Sequence, residues 1–471
     1  MKRDAWVNLL CEAVTQLESW EAQWPEHQCE TVSDEMIAAM HELADRLRDN
    51  YPFFHPRYAG QMLKPPHPAA WAAYALTMLI NPNNHALDGG PGTAKLETEA
   101  VAQLAVMLGF PTAPAGYLGH LTSSGTIANL EALWIARESH PGKKIAFGAN
   151  AHYTHERMCR VLGVEGVTLP IDERGRLSVD ALARRLAAGD IGTVVVTLGT
   201  TGLGAIDPLD KIIPIARRYG ARVHVDAAYG GFFALLAQRT PPAIDAAPFR
   251  VIAQADSVVL DPHKHGLQPY GCGCVIFADP AVGRFYRHES PYTYFTSGDL
   301  HLGEISLECS RAGAAAAALW TTLRAVPLLP HAGLGEMLAA GRRATVAWAE
   351  AIEQSEVLHL VCEPETDILC FAPFPPGGTV TTSQISGWSE RLFARAMEPG
   401  EHNVYLAKYK MERAMLAVRW PQVQWDEQYV TVLRSVVMKP EHEPWWPRLH
   451  RAVTALAEEI LVEGGNNNEM A

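Results

Sequence analysis

Short apolar runs alternate with helical patterns through the middle of the chain, from residue 81 to about residue 325. Runs with the length and composition of buried strands occupy residues 144–148, 166–170, 192–198, 222–226, 256–260 and 273–278. Apolar residues with helical spacing lie between them, at residues 180–186 and 209–219. Strands that alternate with helices are typical of a parallel sheet covered by helices. The pattern therefore predicts an α/β domain with a mainly parallel sheet.

The segments on either side of this region have a different character. A chain of 471 residues is too long for a single hydrophobic core, so we expect more than one domain. Residues 1–80 combine helical patterns with a proline-punctuated passage, which predicts a helical and extended arm that lies over a neighbour. Residues 326–471 mix helices with strands near 357–362, 367–372 and 430–438. We predict three parts: an N-terminal arm (1–80), a large domain (81–325) and a small C-terminal α+β domain (326–471).

Composition limits the kind of ligand this chain can bind. Its formal net charge is -13, and nucleic acids and anionic membranes require a basic surface, so neither is expected as a partner. The apolar stretch near the N-terminus is interrupted by polar residues, which excludes a signal peptide or a membrane span there. Eight scattered cysteines indicate a reducing cytoplasm, and Cys272 and Cys274 are interpreted as buried thiols, with no metal site expected. A small molecule is the expected ligand.

Two of the predicted strands end in residues that suit one cofactor. Asp226 follows the run at 222–225, and Lys264 follows the run at 257–260. Ligands of open parallel sheets collect at the carboxyl ends of strands, so both side chains could lie in one cleft. A lysine that forms a Schiff base and an aspartate that pairs with a pyridinium nitrogen are what pyridoxal 5'-phosphate (PLP) requires. The alternatives are a helix-capping aspartate and a surface lysine.

A third segment supplies a candidate site for the phosphate of that cofactor. Ser124, Gly125 and Thr126 precede an amphipathic helix that ends near Glu138. Exposed N–H groups at the start of a helix carry partial positive charge, which suits a phosphate dianion. An ordinary capped helix would explain this segment if it stood alone. Together with Lys264 and Asp226, it favours a PLP site.

These segments resemble the group II PLP-dependent amino-acid decarboxylases. The two strongest matches are Val-Asp-Ala-Ala-Tyr-Gly-Gly at 225–231 and Asp-Pro-His-Lys at 261–264. Five further motifs resemble bacterial tyrosine decarboxylases most closely: His-Pro-Arg-Tyr at 55–58, Gln-Met-Leu-Lys at 61–64, Asn-Pro-Asn-Asn at 81–84, Gly-His-Leu-Thr-Ser at 119–123 and Leu-Arg-Ser-Val-Val-Met at 433–438. The resemblance runs from about residue 55 to residue 451. It implies PLP fold type I, which is aspartate-aminotransferase-like, with a seven-stranded, mainly parallel sheet in the large domain.

The resemblance also assigns residues to the cofactor. His152 corresponds to the family's histidine that stacks on the PLP ring, and Thr200 is expected near the ring face or its phenolic oxygen, although a plain strand-to-turn junction competes there. Ala228 and His263 are expected to contact the cofactor as well, and a histidine before the lysine favours decarboxylation over transamination. We further expect cationic neighbours to lower the pKa of Lys264, because a neutral amine is needed for attack on a carbonyl.

Each residue expected to contact the substrate has an alternative interpretation. Either Tyr292 or Tyr294 occupies the stretch that protonates Cα in this family, and a phenylalanine at that position would instead lead to an aldehyde. Arg434 aligns with an arginine that contacts the substrate carboxylate, and the alternative is a surface arginine on an outer strand. His85 and Asp88 lie where the family lines its side-chain pocket, which departs from the tyrosine decarboxylase pattern and would suit a basic or polar substrate.

The resemblance implies an amino-acid decarboxylase that releases an amine and CO2. We favour an aromatic, tyrosine-like L-amino acid as substrate, and the alternatives are a basic or acidic amino acid, or decarboxylation coupled to oxidative deamination that yields an aldehyde. A PLP-free binding protein of the same fold is the hypothesis outside catalysis. The N-terminal arm and the chemistry shared across subunits in this family predict a two-fold homodimer.

Overall fold

The computed structural model describes residues 4–25, 31–86, 89–111, 116–286, 305–377 and 379–468. Three helices lie in its N-terminal part: α1 (Asp4–Glu21), α2 (Asp34–Arg46) and α3 (Pro68–Met78). No residue of α1 or α2 is buried. The extended segment after α2 lies along the C-terminal part of the chain, where the Tyr405 N–H donates to Arg57 O at 2.9 Å and the Val436 N–H donates to Ala59 O at 2.7 Å.

A seven-stranded sheet forms the centre of the molecule. Its strands are β1 (Leu118–Thr122), β2 (Lys144–Gly148), β3 (Gly166–Leu169), β4 (Ile191–Thr197), β5 (Arg222–Asp226), β6 (Ser257–Leu260) and β7 (Gly273–Phe277). The order is β1-β7-β6-β5-β4-β2-β3, and β7 runs antiparallel to both of its neighbours while the other adjacent pairs are parallel. The mainly parallel seven-stranded sheet expected from the resemblance is therefore confirmed.

Helices flank this sheet and bury it. They are α4 (Pro91–Met107), α5 (Gly125–Ser139), α6 (Thr154–Leu162), α7 (Val179–Leu186), α8 (Leu209–Arg218), α9 (Ala234–Ala237), α10 (Ala247–Arg250) and α11 (Gly313–Ala325). Every residue of β4 is buried, which explains why this strand reads as a continuous apolar run without alternation. The main core surrounds it and includes Val194, Val196 and Val225.

The C-terminal part contains a second, antiparallel sheet. Its elements are β8 (Leu328–Leu329), α12 (Gly333–Glu353), β9 (Leu358–Leu360), β10 (Ile368–Pro373), β11 (Val380–Thr381), α13 (Thr382–Met397), β12 (Ala407–Glu412), α14 (Arg413–Leu416), β13 (Val423–Gln424), β14 (Tyr429–Val436) and α15 (His442–Asn468). Four strands form the sheet in the order β12-β14-β10-β9, and β11 pairs with β13 separately. Helices α12, α13 and α15 pack over it around Trp348. The domain boundaries at residues 80 and 325 stay predictions.

The helices of the described residues include none that is both long and apolar enough to cross a membrane.

Candidate active site

Lys264 and Asp226 lie at one cavity, at the carboxyl ends of neighbouring strands. Asp226 is the last residue of β5, and its backbone pairs with Val259 of the parallel strand β6, after which Lys264 follows. The cavity measures about 250 Å³. Eight of the residues that the sequence nominated line it: Ser124, Gly125, Thr126, His152, Asp226, Ala228, His263 and Lys264. The topology therefore brings together segments that are up to 140 positions apart in the sequence.

Asp261 controls the charge of Lys264. Its Oδ2 atom lies 2.9 Å from Lys264 Nζ and 3.5 Å from His263 Nε2. Burial favours the neutral amine, but the nearby Asp261 carboxylate outweighs it and raises the pKa of Lys264 above its usual value. The expectation of a lowered pKa is therefore wrong for this arrangement, because a carboxylate and not a cation is the nearest charged neighbour of the amine.

Asp226 is held as an anion by a histidine. His155 Nε2 lies 2.8 Å from Asp226 Oδ2, and the Ala228 N–H donates to Oδ1 at 3.2 Å. Burial alone would raise the pKa of Asp226, yet the hydrogen bond and charge of His155, together with Lys264, hold it well below its usual range. A buried carboxylate that stays ionised can pair with a cationic group in the cavity.

The start of α5 forms another wall of the cavity. Ser124 is the N-cap, and its hydroxyl accepts a hydrogen bond from the Ile127 N–H at 3.3 Å. The first N–H groups of a helix have no partner within the helix, so those of Gly125 and Thr126 are available as donors to a ligand in the cavity. Gly125 is required here, because a Cβ atom at this position would lie 2.5 Å from both carboxylate oxygens of Asp261.

His152 presents a neutral ring at the cavity. Its Nδ1 atom lies 2.7 Å from the Thr154 hydroxyl, and its ring packs against Tyr153 with a centroid distance of 4.3 Å. Burial lowers the pKa of His152, so the ring carries no charge at neutral pH. A flat neutral ring at this place suits contact with a planar ligand.

Thr200 lies in the turn that follows β4. Its hydroxyl accepts a hydrogen bond from the Ala205 N–H at 3.0 Å, within the turn that follows β4. The cavity is lined instead by Gly199 and Thr201. This bond agrees with the competing interpretation of a strand-to-turn junction, and a contact of Thr200 with a cofactor stays a prediction.

Arg434 and His85, the nominated substrate residues that the structure describes, do not line this cavity. Arg434 is buried on β14, where its Nε donates to Gly202 O at 3.0 Å and one terminal nitrogen donates to Gly60 O at 3.2 Å. The alternative of a surface arginine is therefore wrong. His85 is half-buried, and its Nδ1 has no hydrogen-bond partner among the described residues. Asp88, Tyr292 and Tyr294 lie outside the described residues.

Two residues that the sequence analysis did not nominate complete the site. His155 is fully buried against Asp226, and Asp261 joins Lys264. Asp261 could have been found from its place three residues before the lysine in the same motif. The only local signal for His155 is its position on the apolar face of α6, beside the buried residues Met158 and Cys159, and such a position is equally typical of a structural histidine.

The residues present fit PLP. Asp261 Oδ1 and His263 Nδ1 are buried at the cavity and have no hydrogen-bond partner among the described residues, so both remain able to bond a polar ligand. The cavity combines a lysine amine, an ionised aspartate and a helix start, which are the partners for an aldehyde, a pyridinium nitrogen and a phosphate. In contrast, no group of three or more metal-binding side chains occurs within the described residues.

Comparison with solved structures establishes the fold. Mouse CSAD superposes with a TM-score of 0.75 at 22% identity, covering 92% of this chain and 90% of that one. The structure of Oryza sativa TDC with PLP and tryptamine gives 0.76 at 18% identity, with coverage of 97% and 98%. Rhodiola rosea 4-hydroxyphenylacetaldehyde synthase gives 0.74 at 18% identity, with coverage of 97% of both chains. These likenesses confirm the expected PLP fold type I.

Comparison of sequences establishes the family. The chain is 29% identical to L-tyrosine decarboxylase of Enterococcus faecium over 433 residues, covering 71% of this chain and 69% of that protein. It is 30% identical to L-2,4-diaminobutyrate decarboxylase of Acinetobacter baumannii over 373 residues, covering 70% of each. L-aspartate decarboxylase of Thermococcus kodakarensis is 28% identical over 372 residues, covering 78% and 90%. The pyridoxal-dependent decarboxylase conserved domain matches residues 53–373. The chain therefore belongs to the pyridoxal-dependent decarboxylases, carboxy-lyases that use PLP to act on amino acids.

Proposed function

We propose that this protein decarboxylates an aromatic, tyrosine-like L-amino acid to the corresponding amine and CO2. The observation that carries the proposal is the meeting of Lys264, Asp226 and the start of α5 at one cavity. Bound PLP supplies an electron sink for the pair of electrons released when a bond to the substrate Cα breaks. The protein must hold this group, fix the substrate and manage protons.

Lys264 is proposed as the residue that links the cofactor to the protein. Its Nζ atom must lose a proton before it can attack a carbonyl, and Asp261 Oδ2 at 2.9 Å holds this ammonium at the edge of the cavity. A ligand that engages Asp261 would weaken this ion pair and thereby favour loss of the proton. Asp261 therefore keeps Lys264 in place until the site is filled.

The remaining cofactor contacts follow from the positions of the lining residues. Asp226 would hold the protonated ring nitrogen, because it is a buried anion whose oxygens are oriented by His155 and Ala228. Ser124, Gly125 and Thr126 would hold the phosphate at the start of α5. His152 would pack on the ring, and His263 retains an unpaired Nδ1 for a polar contact.

The substrate assignment rests on relatives and on residues outside this cavity. The relatives are named for tyrosine, 2,4-diaminobutyrate and aspartate. The preference for tyrosine comes from the five motifs of this chain that resemble those of bacterial tyrosine decarboxylases. Arg434 keeps one terminal nitrogen without a hydrogen-bond partner among the described residues, so it can still bind a carboxylate. His85 and Asp88 are the candidates that would favour a basic substrate instead. Tyr292 and Tyr294 are the candidate acids for protonation of Cα.

A direct test uses the holoenzyme and two lysine variants. Borohydride reduction followed by peptide mapping should label Lys264, and Lys264→Ala should abolish both the label and CO2 release. Lys211→Ala, on the exposed face of α8, is the matched control and should retain both. Full turnover by Lys264→Ala would refute the assignment.

A panel of substrates settles the reaction that follows. The holoenzyme is incubated with each proteinogenic amino acid and with 2,4-diaminobutyrate, and CO2, amine, aldehyde and peroxide are measured together. Amine equal to CO2 with tyrosine is the expected result. Greater turnover of 2,4-diaminobutyrate or aspartate would overturn the aromatic assignment, while oxygen consumption with aldehyde and peroxide would establish the oxidative alternative.

The proposed working form is a cytoplasmic homodimer. Helix α2 exposes Met36, Met40 and Leu43, whose side chains are 42–63% accessible in the single chain, and a second copy would cover them. The seven cysteines of the described residues are all free, which agrees with a reducing compartment. Sedimentation of the active holoenzyme as a monomer would contradict the dimer.

A further inference from the structure

His155 is the one hydrogen-bond partner that a side chain offers to Asp226 within the described residues. It lies in the first turn of α6, its side chain is fully buried, and its Nε2 is 2.8 Å from Asp226 Oδ2. The contact joins residues 71 positions apart, from a helix to the end of a central strand. It therefore depends on the assembled fold.

The surroundings of His155 determine which nitrogen carries the proton. Its Nδ1 atom is buried and has no hydrogen-bond partner in the described part of the chain. A proton on Nδ1 would be an unsatisfied buried donor, which is costly, whereas a proton on Nε2 is donated to Asp226. The geometry thus makes His155 a fixed donor to this carboxylate.

A neighbouring histidine cannot replace His155 in this task. The His224 ring lies 6.3 Å from the ring of His155, but both of its nitrogens are occupied, Nε2 by Asn129 Oδ1 and Nδ1 by the Ser257 hydroxyl, each at 2.8 Å. Burial lowers the pKa of His224 to about 3, so it adds no positive charge near neutral pH. Removal of His155 would leave Asp226 Oδ2 without its hydrogen-bond donor.

We propose that His155 is a positioning residue that acts through Asp226 to keep a negative charge oriented toward the cofactor ring. The proposal rests on the proposed role of Asp226 toward PLP. His155 is not among the described residues that line the cavity, so it would work only through the carboxylate.

The pH dependence of PLP binding is the property that this role would control. The titratable groups that face Asp226 are His155 on α6, His152 before it, His224 on β5 and Lys264 after β6. Burial by itself would raise the pKa of Asp226, and among the groups that lower this pKa His155 has the largest effect. Without His155, the carboxylate should take up a proton as the pH falls through the mildly acidic range, and a neutral carboxyl holds a pyridinium ion poorly.

The test measures PLP affinity and apoprotein melting at several pH values. His155→Leu removes the donor, and His155→Gln replaces it with an amide N–H that can reach the same oxygen. The control is His359→Leu, which removes a half-buried histidine that bonds Phe374 O at 3.0 Å in the C-terminal sheet. Each affinity is expressed relative to the wild type at the same pH, which cancels the titration of PLP itself.

We expect His155→Leu to bind PLP about 10- to 100-fold more weakly at pH 7, as for loss of a hydrogen bond to a charged group. The deficit should widen between pH 7 and pH 5, and His155→Gln should recover most of it. His359→Leu should lower the melting temperature without any pH-dependent change in relative affinity.

The outcomes separate this inference from the proposed function. Absence of PLP binding by the wild type would refute the proposed function itself. A wild-type affinity and pH profile in His155→Leu, or a deficit that is the same at every pH, would overturn only the role of His155. Should His155→Leu fail to fold, the comparison passes to His155→Gln and the shorter His155→Asn, and equal profiles for those two variants would refute the inference.

Discussion

Gly125→Ala tests the close approach of Asp261 to the start of α5. The added Cβ atom would lie 2.5 Å from both oxygens of Asp261 and 2.8 Å from its carboxyl carbon. Ordinary contacts of carbon require about 3.5 Å, so the carboxylate must retreat by about 1 Å. Asp261 is 2% exposed and holds Lys264 at 2.9 Å, so this movement disrupts the ion pair.

The magnitude follows from two opposing effects. Overpacking of a filled site costs about 1–3 kcal/mol, while replacement of glycine by alanine in a helix gains up to about 1 kcal/mol. Gly387→Ala in α13 is the matched control, because its added Cβ would meet no atom within 4 Å. Since both substitutions change the same residue type within a helix, the difference between them reports the steric cost, about 1–3 kcal/mol.

The assay combines thermal denaturation of the apoproteins with equilibrium dialysis of PLP. Gly125→Ala should melt below the wild type and bind PLP about 10- to 100-fold more weakly, in line with the same 1–3 kcal/mol. Gly387→Ala should melt at or above the wild type and bind PLP normally. If Gly125→Ala matches Gly387→Ala in both measurements, the close approach of Asp261 to the start of α5 has no energetic role.

Two further predictions concern charge. Asp226→Asn should bind PLP more weakly and, when saturated with PLP, lose most CO2 release, because an amide cannot stabilise a protonated ring nitrogen. Absorption spectra report the bound cofactor, and wild-type turnover of the saturated variant would contradict this prediction. Burial lowers the pKa of Lys439 to about 7, below its unfolded value near 10.5, so the unfolded chain binds the extra proton between these values and stability rises with pH there. Lys439→Met should flatten the rise in melting temperature from pH 7 to pH 10. If the melting temperature rises with pH as steeply as in the wild type, Lys439 is not the cause of the rise.

Local sequence patterns were sufficient to predict most of the central sheet. The runs at 222–226 and 144–148 coincide with β5 and β2, since buried parallel strands are continuous apolar segments that stand out from their surroundings. The strand β1 was not predicted as a strand, because Gly119 and His120 interrupt its apolar character. His120 is tolerated inside the sheet because both ring nitrogens have polar neighbours, Nε2 at 2.9 Å from buried Glu131 and Nδ1 at 2.8 Å from Leu121 O.

The sequence by itself determined the cofactor and the family, because Asp226 and Lys264 each follow a recognisable strand and belong to motifs that are read along the chain. Only the tertiary structure decided which side chains contact these two residues and line the cavity around them. His155 reaches Asp226 across 71 positions, and Thr201, not Thr200, lines the cavity. The physical reason is that periodicity reports whether a residue faces the core, whereas a hydrogen bond depends on atom positions within a few tenths of an ångström, which the packing of α6 against the sheet and the turn after β4 set.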